Sequence, residues 1–97
     1  MFLQIDNDLT RVTKFILKPN DATGNHVHKL NYVIVPITDA KLKLVDNNNE
    51  EKITYLKSGE PYYREAKIEH NVINIGNNDV VFIEIELKKF KVTNTKL

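Results

Sequence analysis

The chain has 97 residues, enough for one small domain, so the expectation is a single domain over 1–97 with its core at about 10–88. Fourteen Lys and Arg against 13 Asp and Glu leave a formal charge of +1, which argues against non-specific nucleic-acid binding and against a polybasic membrane anchor. The absence of Cys excludes a disulfide framework, a thiolate zinc site and a cysteine nucleophile together. No apolar run reaches the roughly 18 residues of a membrane span, and Met1 to Thr10 lacks the basic and apolar regions of a signal peptide. A cytoplasmic protein with no membrane and no nucleic-acid partner is expected.

Met1 to Leu9 falls outside any regular pattern, and is read either as frayed or as a strand added across an oligomer interface. Thr10 to Lys18 is β-branched and aromatic, as a strand requires. Tyr32 to Ile37 is a nearly continuous apolar run, expected of a strand covered on both faces. Lys41-Leu42-Lys43-Leu44-Val45 alternates charged and apolar residues, and Lys52 to Leu56 is again β-branched and aromatic. Near the end, Val81, Ile83, Ile85 and Leu87 share one face of a strand while Glu84 and Glu86 share the other. Turn signals separate these runs at Pro19-Asn20-Asp21, Thr38-Asp39, Asp46 to Asn49, Ser58-Gly59 and Gly76 to Asp79. No window carries a capped helical stripe. Many short strands in so short a chain predict an all-β fold, a small sandwich or barrel. Val92 to Leu97 also lies outside the pattern.

The three histidines carry the chemistry. His26 and His28 are two residues apart, so on a strand both imidazoles point to one side. The third is His70, within Glu69-His70-Asn71-Val72-Ile73-Asn74. Alone, the His-x-His pair reads equally as two exposed or satisfied histidines. The surrounding residues add to it. Gly59, Glu65, Lys67, His70 and Asn74 fall on the spacing Gly, five residues, Pro-x-Gly, two residues, His, three residues, Asn, with Glu65 and Lys67 in place of the Pro and Gly. A looser pattern runs from Gly24 through His26 and His28 to Tyr32, which stands where a Glu is usual.

On these motifs the chain resembles the cupin superfamily (RmlC-like), whose fold is a double-stranded β-helix, or jelly-roll barrel. Tyr32-Val33-Ile34-Val35-Pro36-Ile37 and Glu69 to Gly76 are similar to small single-domain cupins, a subgroup of which is linked by name to β-alanine degradation. The resemblance implies His26, His28 and His70 as ligands of one divalent transition metal, such as Fe, Mn, Ni or Zn. With Tyr32 in the Glu position no carboxylate offsets the metal, which favours an anionic small-molecule ligand or a metal-bound hydroxide. Tyr32 is read either as an outer-sphere hydrogen-bond donor or as a core aromatic. Arg64 either faces the interior to meet a substrate carboxylate or pairs with a nearby Glu. Tyr62 and Tyr63 point to opposite faces, one of them into the cavity. Asn74 is expected to bond backbone near the metal site.

Two functions follow from the resemblance. One is a metal-dependent enzyme acting on a small organic acid, a dioxygenase-like oxidoreductase or one that uses other metal-assisted chemistry such as isomerisation, lysis or hydrolysis. The other is a non-catalytic cupin that holds a small ligand or serves as a sensor. A homodimer is expected in either case, because so short a chain has little core of its own.

Overall fold

The computed structural model describes residues 1–88. Nine strands form: β1 (Phe2–Asp6), β2 (Thr10–Leu17), β3 (His26–Val27), β4 (Asn31–Pro36), β5 (Ala40–Asp46), β6 (Glu51–Leu56), β7 (Tyr62–Arg64), β8 (Glu69–Asn74) and β9 (Val80–Leu87). They make two antiparallel sheets, one in the order β1-β2-β9-β4-β7 and the other β3-β8-β5-β6. The chain crosses repeatedly between sheets, as the expected jelly-roll barrel requires, and no described helix is long and apolar enough to cross a membrane.

Leu17, Tyr32, Ile34, Leu42, Leu56, Val72, Val80 and Phe82 form the buried core between the sheets. Alternation places them: Tyr32, Ile34 and Pro36 of β4 turn inward, and Val33 and Val35 outward. Phe15 and Phe82 are direct partners across β2 and β9, their rings stacked at 5.0 Å.

On β9 the alternation is present, but its more apolar face is not the core face. Val80, Phe82 and Glu84 are buried, while Val81, Ile83 and Ile85 are only half-buried on the outer side. The outward residues continue across the sheet in rows, Val12–Ile85–Val33 and Lys14–Ile83–Val35. The outer surface of the five-stranded sheet is therefore broadly apolar, and β4 has only one fully covered face rather than two.

The N-terminal segment forms a regular strand. Phe2–Asp6 pairs with β2 of its own chain as an edge strand, exposed along its whole length. The spacing could not reveal this, because an edge strand with no buried face has no reason to alternate. Val92 to Leu97 lies outside the described residues. Asn74 is structural, as expected, but sits at the far end of β8 from His70. It is fully buried, donates from Nδ2 to the carbonyls of Leu17 and Asn78, and accepts from the Gly76 N–H. It holds the turn into β9 rather than the histidine end of the barrel.

Lys67, in the motif's glycine position, adopts a left-handed backbone with φ of 74°. Its N–H donates to the His28 carbonyl at 2.6 Å, tying the turn before β8 to the end of the His-x-His segment. A side chain there costs roughly 1–2 kcal/mol, which glycine relieves at a smaller loss in unfolded-state entropy. Lys67→Gly is expected to stabilise the protein by about 0.5–1 kcal/mol, seen as a rise of about 2–6 °C in thermal midpoint, whereas Lys67→Ala should give no gain.

Candidate metal centre

His26 and His70 are direct partners across β3 and β8, and His28 follows two residues after His26, just past the strand. Its backbone stays in register, because the His28 N–H donates to the Ile68 carbonyl and its own carbonyl accepts from Lys67. Cross-strand pairing and two-residue spacing thus bring all three imidazoles to one point. Nε2 of His28 lies 3.0 Å from Nε2 of both His26 and His70. The three possible donor atoms lie within 4.8 Å of one another.

The proton count makes this cluster suited to a cation. Nδ1 of His26 is 2.8 Å from the Gly24 carbonyl, which can only accept, so that nitrogen carries the ring proton and Nε2 presents its lone pair. Gly24 reaches this position with φ of +83°, where a side chain would be strained. Nitrogen lone pairs 3.0 Å apart repel unless a proton or metal lies between them. Two nitrogens at that spacing can both reach one ion at the usual metal–imidazole distance of about 2.0–2.1 Å. The residues present therefore fit a divalent transition metal.

Burial, and then the neighbouring imidazoles, lower His28 from 6.5 to about 4. His70 is likewise lowered to about 4, by burial first and then His26. Both are neutral, and so able to ligate, well into mild acid.

The cluster opens into a cavity of about 480 Å³ walled by both sheets. Tyr32 is buried in its wall and stacks on His28, ring centroids 4.0 Å apart and planes 20° from parallel. Burial, then Tyr62 and Glu84, raise its phenol to about 12, so it is a hydrogen-bond donor rather than a phenolate. Tyr62 lines the cavity and Tyr63 points out, which settles the expected division between them. Arg64 also lines the cavity, its guanidinium 4.6 Å above the Tyr62 ring and Nη1 donating to the Tyr63 carbonyl. Among the described residues it has no carboxylate partner, so the pairing with a nearby Glu is not formed.

Sequence reasoning missed Glu84. It is buried inside the barrel, with Oε2 3.8 Å from Nδ1 of His28. Burial, then Glu86, raise its carboxyl from 4.5 to about 7, against the pull of Arg11. With His28 lowered and Glu84 raised, burial outweighs pairing, and the two do not meet as a full ion pair. The signal was present as polar residues on one face of β9, but that face reads as solvent until the sheet is assembled.

These shifts carry opposite signs for stability. His28 and His70 take up protons more readily in the unfolded chain, so the metal-free protein loses stability as pH falls from 6.5 towards 4. Glu84 binds its proton more readily when folded, so it adds stability as pH falls from about 7 to 4.5 and partly offsets the loss. Chemical denaturation of chelator-treated protein should show stability falling below pH 6.5, and more steeply in Glu84→Gln. A flat profile in that variant would contradict the assignment.

No family model matches the chain. The β-alanine degradation protein BauB of Pseudomonas aeruginosa is 41% identical over 86 residues, which make up 89% of this chain and 90% of that protein. A crystal structure of a cupin domain from Bordetella pertussis Tohama I superposes with a TM-score of 0.86 at 39% identity, over 90% of each chain. An RmlC-like cupin with a double-stranded β-helix fold from Methanocaldococcus jannaschii gives 0.75 over 90% of this chain and 77% of its own, at 13% identity, a likeness of fold alone. Relatives that match this closely along nearly the whole of both chains establish that the chain belongs to the cupin family.

Proposed function

We propose that this cupin is a metal-dependent enzyme acting on a small organic acid, with His26, His28 and His70 holding one divalent transition metal. The observation that carries this reading is the meeting of three Nε2 atoms in the wall of a cavity large enough for a small molecule. A bound metal of this kind supplies Lewis acidity, or electrons for dioxygen chemistry, and the dioxygenase-like version is the most specific form of the proposal.

The chain's own residues bind and orient. Arg64, free of any carboxylate partner among the described residues, receives the substrate carboxylate through its planar fork. Tyr32, kept protonated by burial, donates a hydrogen bond to substrate from beside His28. Phe15, Ile34, Leu42 and Phe82 line the cavity with apolar surface that excludes water from it. The Pseudomonas relative is named for β-alanine degradation, and β-alanine is itself a small carboxylic acid, which supports the substrate class.

A homodimer belongs to the same proposal. The row Val12–Ile85–Val33 and the pair Ile83–Val35, with Lys14 beside it, are a poor surface to leave in water, and a second copy packed sheet against sheet would cover them. Light scattering at micromolar protein is expected to give twice the chain mass of 11.3 kDa, falling to the monomer in Ile83→Asp. A wild-type monomer would contradict it.

Protein purified without chelator should carry about one metal per chain, and His26→Ala, His28→Ala or His70→Ala should each lose most of it. Tyr32→Phe should keep its metal. In dioxygen-uptake assays against a panel of small acids, Arg64→Gln should raise KM about tenfold or more with little effect on kcat. Full metal content in His70→Ala would remove the site, while metal binding with no acid or dioxygen consumed would replace the enzyme by a ligand-holding module.

A further inference from the structure

Two oppositely charged side chains line one wall of the cavity without meeting each other. Glu84 is 8% exposed and faces the cavity from the middle of the five-stranded sheet. Its cross-strand neighbours are Thr13 and Ile34, neither of them a cation. Arg11 is engaged one row away by Asp6 and Glu86. The His28 ring stands 3.8 Å off, too far for a hydrogen bond. Among the described residues the Glu84 carboxyl therefore has neither a hydrogen bond nor a Lys or Arg partner. An apolar side chain of similar size would cost the fold less, so stability alone does not account for the residue.

Arg64 is the opposite case. Its Nη1 donates to the Tyr63 carbonyl, and the rest of its fork has no protein partner among the described residues. It pairs across the sheet with Tyr32, and Glu84 pairs with Ile34 on the other side of β4. Two strand spacings and a two-residue offset put the backbones of Arg64 and Glu84 about 12 Å apart. Both side chains reach inward from there. The Tyr62 phenol feels both of them: burial raises it most, Arg64 then lowers it and Glu84 raises it. The two groups thus act on one region of the cavity without forming an ion pair. A ligand entering that region must bring the missing partners. A carboxylate satisfies the guanidinium fork. Glu84 calls for the reverse, and a primary ammonium offers it three N–H donors. A carboxyl oxygen accepts such a bond whether the group is ionised or protonated. An amine-free acid would leave Glu84 unpaired, the condition under which a polar site rejects an analogue most strongly.

We infer that the cavity takes a small amino acid, with its carboxylate on Arg64 and its ammonium on Glu84. This deepens the reading of the cavity as a small-acid site and rests on it.

Isothermal titration calorimetry on the protein as purified tests this with matched probes: glycine against acetate, 3-aminopropanoate against propanoate, and 4-aminobutanoate against butanoate. In at least one pair the amino acid should bind about tenfold or more tighter than its amine-free partner. Glu84→Met should erase that preference while binding the amine-free acid at least as well as the wild type, which also shows that the variant folds. Glu84→Gln, which keeps the shape and loses the charge, should lose most of the preference. Arg64→Gln should weaken both members of the pair together. Equal affinities within every wild-type pair overturn the amino-acid proposal and leave the small-acid reading standing. A preference that survives in Glu84→Met also overturns it, since the amine is then held by another group, a bound metal included. If no acid of either kind binds the wild type at millimolar concentration, both readings fall.

Discussion

The pairing of β3 with β8 is the constraint on which the candidate site depends. β3 contributes two residues, and the pairing sets His26 opposite His70. A one-residue slip would turn one imidazole out of the cluster, because strand side chains alternate. Such a short strand cannot hold register by itself. Beyond its end, the exchange between His28, Ile68 and Lys67 extends the pairing, and Thr23 bonds β8 on the other side through its N–H to the Val72 carbonyl. The left-handed Lys67 is tolerated within this network because the backbone around it is held from both sides.

The two sheets divide the work. The four-stranded sheet carries His26 and His70 on neighbouring strands, with His28 just beyond β3. The five-stranded sheet supplies the opposing wall, where Tyr32, Tyr62, Arg64 and Glu84 face the same cavity. Polar groups on that wall are shifted by burial towards their neutral forms, Tyr32 to about 12 and Glu84 to about 7. Burial of this kind strengthens each directed interaction those groups make. On β9 the more apolar row faces outward, so a strand that builds the cavity also carries half-buried valine and isoleucine on its outer side.

How much of this was legible in the sequence depended on whether the information was local. Strand positions, the two-residue spacing of His26 and His28, and the inward turn of Leu42 all follow from period-two alternation. The joining of His70 to that pair came from motif spacing rather than from physics, since a cross-strand neighbour 44 residues away leaves no local trace. Glu84 was hidden for a related reason. On β9 the isoleucines look like the core and the glutamates like the surface, and only the assembled sheet shows that this barrel buries Glu84 and leaves Ile83 half outside. The edge strand Phe2–Asp6 was unreadable because alternation records burial on one face, and β1 has none.

The central claim is that three imidazoles share one metal ion, and anomalous diffraction from crystals grown with one equivalent of zinc tests it most directly. The expected result is a single strong peak at the zinc edge, bonded to Nε2 of His26, His28 and His70, with Glu84 outside the coordination sphere. A peak bonded to fewer than three of these nitrogens, or one that takes Glu84 as a ligand, would contradict the account.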